Sequence, residues 1–385
     1  MSEHPVVGWK EKGELRSARW RSESGVPPPR RVVIADDRIK ADAAYRLACE
    51  GTAMLWRGDF HNARQLLQAM ARRVDRKPSK DKKPPSSLTE SFHLHRMAQA
   101  QRARTLGMLL LPFDAGHRIH LPRAPDVRQA CTEAYGSADE PYVASLRELL
   151  GLIGAHEWRK KGVEITALGE HIHPHYGVWS PVRGEYVQLV ATAPLPPALS
   201  SSNSAFDIGA GTGVLAAVLA RRGVARVVAT DNDVRALACA SENIARLRLS
   251  EQVEVAQADL FPEGKAALVV CNPPWIPGRP SSPLEHGIYD PDSRMLHAFL
   301  GALAAHLEPG GEGWLILSDF AEHLGLRSRA ELLAAIEAAG LQVLGRMEVK
   351  PHHPRASDEA DPLHAARRAE VTSLWRLGVR RSAVE

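Results

Sequence analysis

The second half of this 385-residue chain alternates short apolar runs with amphipathic stretches, and few folds accept that pattern. "AFDIGAG", "RVVAT", "VEVAQAD", "ALVVCNP" and "GWLILSD" read as strands. "GVLAAVLARR" and "RMLHAFLGALAAHL" read as helices between them. In the latter, Leu296, Phe299, Leu300, Leu303 and Leu307 recur at steps of three and four. Nearly continuous apolar strands alternating with helices imply a parallel sheet covered on both faces. Ser328 and Glu331 form a capping box for "SRAELLAAIEAAG", and Gly340 falls where a left-handed C-terminal residue belongs. "LQVLGRMEV" and "AEVTSLWRLG" come next with no long helix between them, and read as an antiparallel hairpin closing the sheet edge.

Chemistry-bearing residues sit where those strands end. "FDIGAGTG" places Gly209, Gly211 and Gly213 at a strand-to-helix junction, where backbone can turn tightly and approach a ligand. A dinucleotide fingerprint needs its third glycine at position 214, which is Val214, so that match fails. Asp207 precedes the glycines. Its carboxylate repels a pyrophosphate and attracts an ammonium. The next strand ends in "ATDND", where Asp231, followed by Asn232, can accept the two hydroxyls of a ribose. The third ends in "AQADLF", where Asp259 can accept from an adenine amino group, with Leu260 or Phe261 against the ring. Taken singly, each Asp could simply end a strand or cap a helix. An ammonium, a ribose and an adenine in that order belong to one small molecule, S-adenosylmethionine.

The fourth strand ends in "CNPPW". Ligands of open α/β sheets bind at the carboxyl ends of strands beside the switch point, so Asn272 is expected to face the reacting methyl group. Its side-chain oxygen and the Pro273 carbonyl can accept two N–H bonds from an amine. Pro273 and Pro274 stiffen those acceptors, and Trp275 offers a flat face for a planar group. A proline-stiffened loop with a packing tryptophan is the plainer alternative. Methyl transfer from a sulfonium is an in-line displacement, which asks for position above all and for neither metal nor covalent nucleophile.

These motifs resemble the class I S-adenosylmethionine-dependent methyltransferases over residues 163–378. "FDIGAGTG", "TDND", "QADLF" and "CNPPW" carry the likeness. The Asn-Pro-Pro-aromatic subset includes HemK-type glutamine N5-methyltransferases of peptide release factors, and adenine N6- and guanine N2-methyltransferases of RNA and DNA. The resemblance implies a seven-stranded Rossmann-like sheet with an antiparallel terminal hairpin. It implies cofactor roles for Asp207, Gly209, Gly211, Gly213, Asp231 and Asp259. It implies a substrate-amine role for Asn272, Pro273, Pro274 and Trp275, although Tyr or Phe is more usual than Trp in the HemK type. "HYGVWSPVRGEYVQLV" is similar to the lip over the cofactor in those families, with Arg183, Glu185 and Tyr186 as candidate contacts. The alternative there is an ordinary junction. The Pro/Gly/Ser-rich loop after Trp275 reads as a lid or recognition loop, with Arg279, Asp290 and Arg294 as candidates.

Residues 1–30 read as a flexible lead-in, and 31–160 as a mainly helical accessory or substrate-recognition domain. The charged Pro/Ser-rich stretch 76–87 reads as a linker or loop. Residues 161–385 read as the methyltransferase domain. Within the accessory part, "IKADAAYRLACEGTAMLWRGDFHNARQLLQAMARR" reads as two helices turning at Gly58-Asp59, with Leu66, Leu67 and Met70 on one face. "VASLRELLGLI" reads as a helix, and "GMLLLPF" and "HRIHLPR" as short strands. Residues 1–90 hold 19 Lys/Arg against 12 Asp/Glu, which suits contact with RNA or simply a solvated surface.

Cys49, Cys131, Cys239 and Cys271 are dispersed, with no CxxC pair, so neither a disulfide framework nor a zinc ribbon is expected. A cytoplasmic protein without secretory signal or membrane span is the expectation. "HIHPHY" sets His171, His173 and His175 on one side of an extended segment, where the expected chemistry has no use for a metal, and His352-His353 reads as surface. The expected activity is methyl transfer to a planar NH2 nitrogen. A glutamine amide of a release-factor- or ribosomal-type protein comes first, and a nucleobase amine of RNA or DNA is the alternative. A methyltransferase fold kept as an inactive binding module is the rival from another class.

Overall fold

The structure is a computed structural model and describes residues 4–76, 85–351 and 358–380. His352-His353 and most of the 76–87 stretch lie outside the described residues. The chain divides into two compact units, Met1–Pro85 with His93–Glu157, and Ser86–Phe92 with Trp158–Glu385.

The first unit is rich in helix, as expected, but it also contains an unexpected sheet. It contains β1 (Val6–Glu11), β2 (Glu14–Trp20), β3 (Arg31–Ala35), α1 (Ala41–Cys49), β4 (Thr52–Trp56), α2 (Phe60–Val74), α3 (Leu88–Leu106, begun in the second unit), β5 (Leu109–Phe113), α4 (Arg128–Tyr135), β6 (Tyr142–Ser145) and α5 (Leu146–Lys161, ended in it). Its strands form a six-stranded mixed sheet in the order β1-β2-β6-β5-β4-β3. Residues 6–20, expected as lead-in, are a hairpin whose two-residue turn, Lys12-Gly13, has φ of +51° and +89°. Positive φ at both positions matches the twist of the flanking strands. The hairpin is polar enough to look like a tail: Leu15 is 87% exposed and Val6 56%.

"TAMLW", expected inside a helix pair, is β4, buried at every residue. A strand buried on both faces shows no alternation, so its periodicity cannot be told from a buried helix. Gly51, at φ +76°, turns the chain between α1 and β4. Asp59 caps α2 by accepting from the His61 backbone N–H at 2.7 Å. "HRIHLPR" forms no strand, and the opening of "VASLRELLGLI" is β6 rather than helix.

The second unit comprises β7 (Val163–Ile165), β8 (Glu170–Ile172), α6 (Glu185–Thr192), β9 (Ser204–Ile208), α7 (Val214–Arg221), β10 (Arg226–Asp231), α8 (Val234–Arg246), β11 (Val253–Gln257), β12 (Ala266–Cys271), β13 (Ile276–Pro277), β14 (Tyr289–Asp290), α9 (Arg294–His306), β15 (Leu307–Ser318), α10 (Phe320–His323), α11 (Arg329–Ala338), β16 (Leu341–Val349), α12 (His364–Ala369) and β17 (Thr372–Val379). Its large sheet runs β11-β10-β9-β12-β15-β17-β16. The first five in that order are parallel, and β17 and β16 are antiparallel.

Both faces are covered. Ala205, Leu268 and Val270 join one apolar cluster with α6 and α7. Phe206, Ile208, Val269 and Cys271 join the other with α9 and α11. That two-sided burial is why the strands read as unbroken apolar runs. The Ser328/Glu331 capping box is present, and Gly340 has φ +71°. Among the described residues no helix is long and apolar enough to cross a membrane.

Gly213 fixes how closely α7 approaches α8. Its φ is +77°, and a Cβ there would lie 3.2 Å from the Ala240 Cβ. Gly213→Ala is therefore expected to lower unfolding stability by about 1–3 kcal/mol, through backbone strain and crowding together. Urea denaturation checks this; an unchanged midpoint contradicts the assigned packing.

Candidate active site

The sheet order places a switch beside β9. From β9 the chain moves outward to β10 and β11, then returns to lay β12 on the other flank. In register, Ile208 lies beside Thr230 on one side and Cys271 on the other. The residues just past these three strands therefore emerge together.

The glycine turn is tied to the end of β10. Gly209 and Ala210 donate to the Thr230 carbonyl at 2.9 and 2.8 Å, and Gly211 donates to Asp231 Oδ2 at 3.0 Å. Gly209, Gly211 and Gly213 all have positive φ. A Cβ on Gly211 would meet open space, so the backbone is approachable there, whereas one on Gly209 would meet Met295 Cε at 2.8 Å.

Asp207 is 1% exposed, and its Oδ2 accepts the Ala216 N–H in the first turn of α7 at 2.9 Å. Burial pushes its pKa up to about 7, against the Ala216 bond, and the Asp231 charge adds to the rise. Burial also raises Asp231, opposed by N–H donors that include Asp233 and Gly211. Asp231 Oδ1 accepts from Asp233 N at 3.0 Å, and the Asn232 N–H also bonds the carboxylate. Asn232 is exposed beside it, and Asp259 is exposed past the end of β11. Leu260, expected on the cofactor, is at φ +75°; its carbonyl accepts from Thr230 Oγ1 at 2.5 Å, and its side chain packs against the α9 cluster. Phe261 stacks on His306 and Phe299 at centroid distances of 4.3 and 5.7 Å.

At the end of β12 the motif closes on itself. Trp275 Nε1 donates to Asn272 Oδ1 at 2.8 Å. The amide oxygen is thereby fixed in direction, with a second lone pair left. Pro273 is buried and Pro274 partly so. The Arg183 guanidinium lies 5.3 Å over the Trp275 ring, and Tyr186 meets that ring edge-on at 6.4 Å. Arg183 is itself held by Glu185 and Glu370, each at 3.0 Å, and Glu370 accepts from Ser318 Oγ at 2.6 Å. Arg183 and Tyr186 thus form a wall around Trp275.

The loop after Trp275 is anchored through backbone. Ile276 donates to the Ile288 carbonyl at 3.1 Å and Gly278 to the Asp290 carbonyl at 3.3 Å. Asp290, read as a substrate contact, is 5% exposed and accepts the Met295 and Leu296 N–H groups at 3.1 and 3.2 Å. It caps α9, where Asp292 and Ser293 both take positive φ before the helix starts. Arg279 and Arg294 are exposed.

Arg327, which no local motif marks, joins the two parts. It is 8% exposed and donates to the Trp275 carbonyl and to Ser293 Oγ, both at 3.3 Å. Its Nε is buried without a partner. Of the histidine trio, His173 Nδ1 lies 2.7 Å from the Arg159 carbonyl, His175 Nε2 lies 2.8 Å from Glu242, and His171 is exposed.

Residues 172–329 match the family model "Methyltransferase small domain". The chain is 38% identical over 146 residues to a ribosomal protein L11 methyltransferase of Pelotomaculum thermopropionicum, covering 37% of this chain and 39% of that protein. It is 32% identical over 160 residues to a release factor glutamine methyltransferase of Cereibacter sphaeroides, covering 38% and 54%. It is 30% identical over 158 residues to a tRNA1(Val) (adenine(37)-N6)-methyltransferase of Shewanella woodyi, covering 38% and 63%. The chain thus spans 39% to 63% of the length of these relatives. Residues 172–329 resemble the class I S-adenosylmethionine-dependent methyltransferases, the HemK type included.

The buried Asp207 carboxyl has a stability signature. Its folded pKa of about 7 lies above the ordinary 3.8. The folded state therefore holds the proton more tightly, and this contribution is lost as pH rises from about 3.8 to about 7. Thermal unfolding of Asp207→Asn across that window is expected to show the variant gaining on the native chain as pH rises. A constant difference contradicts the assignment. Arg327→Met removes two donors from buried acceptors and is expected to cost about 1–3 kcal/mol. It should also speed limited proteolysis in the loop 279–288; unchanged cleavage there means that Arg327 does not hold the loop.

Proposed function

We propose that this chain is an S-adenosylmethionine-dependent N-methyltransferase acting on an exocyclic amine of a nucleobase in RNA. The orientation of Asn272 carries the reading. Its side-chain oxygen is aimed by the Trp275 indole N–H, and it stands at the end of β12, beside the glycine turn at the end of β9.

The cofactor fits the residues present. An ammonium, a ribose diol and an amino group all bring hydrogens, and Asp207, Asp231 and Asp259 are acceptors when ionised. Gly211 leaves the backbone open to close approach. When bound, S-adenosylmethionine supplies an electrophilic methyl group on a sulfonium. The protein's part is positional. Asn272 Oδ1, with the Pro273 carbonyl, accepts the two N–H bonds of the substrate amine and turns the nitrogen lone pair to the methyl carbon. Asn272 and Pro273 would hold that nitrogen in place while it gives up a proton to solvent. Trp275, braced by Arg183 and Tyr186, supports the planar group that carries the amine.

A mainly helical first domain favours a glutamine amide on the HemK plan, but the first unit adds a six-stranded mixed sheet to its helices. Its basic excess favours RNA, as does the likeness to adenine-N6 tRNA methyltransferases. The glutamine amide remains the second reading, favoured by the 32% identity to a release factor enzyme.

Calorimetry is expected to detect binding of S-adenosylmethionine and of its demethylated product; no binding sinks the enzyme reading and leaves the inactive module. Asn272→Ala should retain that binding and lose about 10²–10³-fold in turnover, the range for removing one positioned polar contact to the reacting group. With labelled cofactor and cell extract, ribonuclease should release the label. Release by protease instead selects the glutamine amide, and release by deoxyribonuclease selects DNA.

A further inference from the structure

The first unit carries a groove unrelated to the strand ends of the large sheet. Its own sheet begins with β1 and finishes with β3, so each is an edge strand. The sheet curls until these edges pack on one another: Val7 and Trp9 share an apolar cluster with Val32 and Ile34. Between the edges lies a groove of about 790 Å³. Lys10 lines it from the hairpin, and Arg30 and Arg31 from the start of β3, all three exposed; Arg16, on the opposite face of the hairpin from Lys10, is paired with Glu14 at 3.3 Å. One carboxylate, Glu50, stands on its wall.

Lys and Arg commonly guard sheet edges against pairing with another strand. Guarding does not account for the apolar surface among the charges. Leu15 is 87% exposed and lies directly across the hairpin from Lys10. Val33 is 38% exposed and shares a strand face with Arg31, two residues before it. Cations that track a backbone, interleaved with apolar surface for base faces, suit a single nucleic-acid strand. A peptide adding to either edge would need the edge amides but not the cations Lys10, Arg30 and Arg31.

We propose that the groove between β1 and β3 binds a single-stranded segment of RNA, its phosphates on Lys10, Arg30 and Arg31 and its bases against Leu15 and Val33. This rests on the reading of RNA as substrate and adds the surface that holds it.

The test is fluorescence anisotropy of the full chain with a labelled fifteen-residue oligouridylate. The groove variant Lys10→Glu/Arg31→Glu is compared with Arg64→Glu/Arg72→Glu, an equal charge change at exposed positions of α2. Loss of two phosphate contacts is expected to weaken binding by about 30-fold or more and to flatten the salt dependence by about two contacts. The α2 variant should lose far less. Equal losses would mean that net charge alone attracts RNA, and would overturn the proposal, as would no binding by the native chain or equal binding of a blunt RNA duplex. If the glutamate variants fail to fold, Lys10→Ala/Arg31→Ala provides the same comparison. Because the probe is bound and not methylated, the result stands apart from the labelling experiment. Label in protein with intact groove binding would refute the RNA substrate and keep the groove, and label in RNA without groove binding would do the reverse.

Discussion

Parallel pairing of β9 with β12 is the constraint on which the site depends. Val270 lies beside Asp207 and Cys271 beside Ile208, although β10, α8 and β11 intervene in the chain. Both faces of these strands are buried in the two apolar clusters, so their sides offer nothing to a ligand. Chemistry is confined to the residues at and just beyond the last paired position of each strand. On β9 that is a turn of left-handed glycines, on β10 a carboxylate bonded back to that turn, and on β12 an Asn. One hydrogen-bonding pattern therefore brings a donor-seeking pocket and an amine-accepting amide side by side.

Rigidity at the amide has a visible origin. An Asn side chain can present either its oxygen or its NH2 in one direction. The bond from Trp275 Nε1 selects the oxygen, and a net hydrogen bond of about 1 kcal/mol biases that choice roughly fivefold. The bias holds only if the indole is itself fixed. Arg183 lies on its face, Tyr186 on its edge, and Arg327 binds its carbonyl. Arg327 bears a cost for this, because burial disfavours its charge and lowers its pKa, and its Nε is without a partner. Arg183 is better compensated, between Glu185 and the buried Glu370.

The parts of the site legible in the sequence share one property: each ends or directly succeeds an apolar run. Asp207, the glycines, Asp231 and Asn272 can be placed because the strand before them announces where they stand. Arg327 and Glu370 cannot, since each acts across a fold that brings residues 183, 275, 293 and 370 together. Asp290 departs from its expected role for a local reason. An ordinary capping residue stands two or three positions before the N–H it accepts, and Asp290 reaches five and six ahead, across two non-glycine residues at positive φ. In the first unit, β4 and β6 are buried at every residue, and short runs of that kind precede helices without any alternation to separate them.

The strand character of the first unit bears on function. Of the 19 Lys/Arg among the first ninety residues, Lys10, Arg16, Arg19 and Arg31 stand on strands. On strands, side chains of one face recur every ~6.6–6.8 Å along a line. Two edges in contact set such lines side by side. The cations that keep a second sheet from pairing with β1 or β3 are then the same cations that draw in a polyanion, and one device answers both demands. Where guarding alone is needed, the residues between the charges are best left polar, because exposed apolar side chains on an edge invite the association that the charges resist. A Leu at 87% exposure across from Lys10 runs against that economy, and a surface for bases is the use that reconciles them.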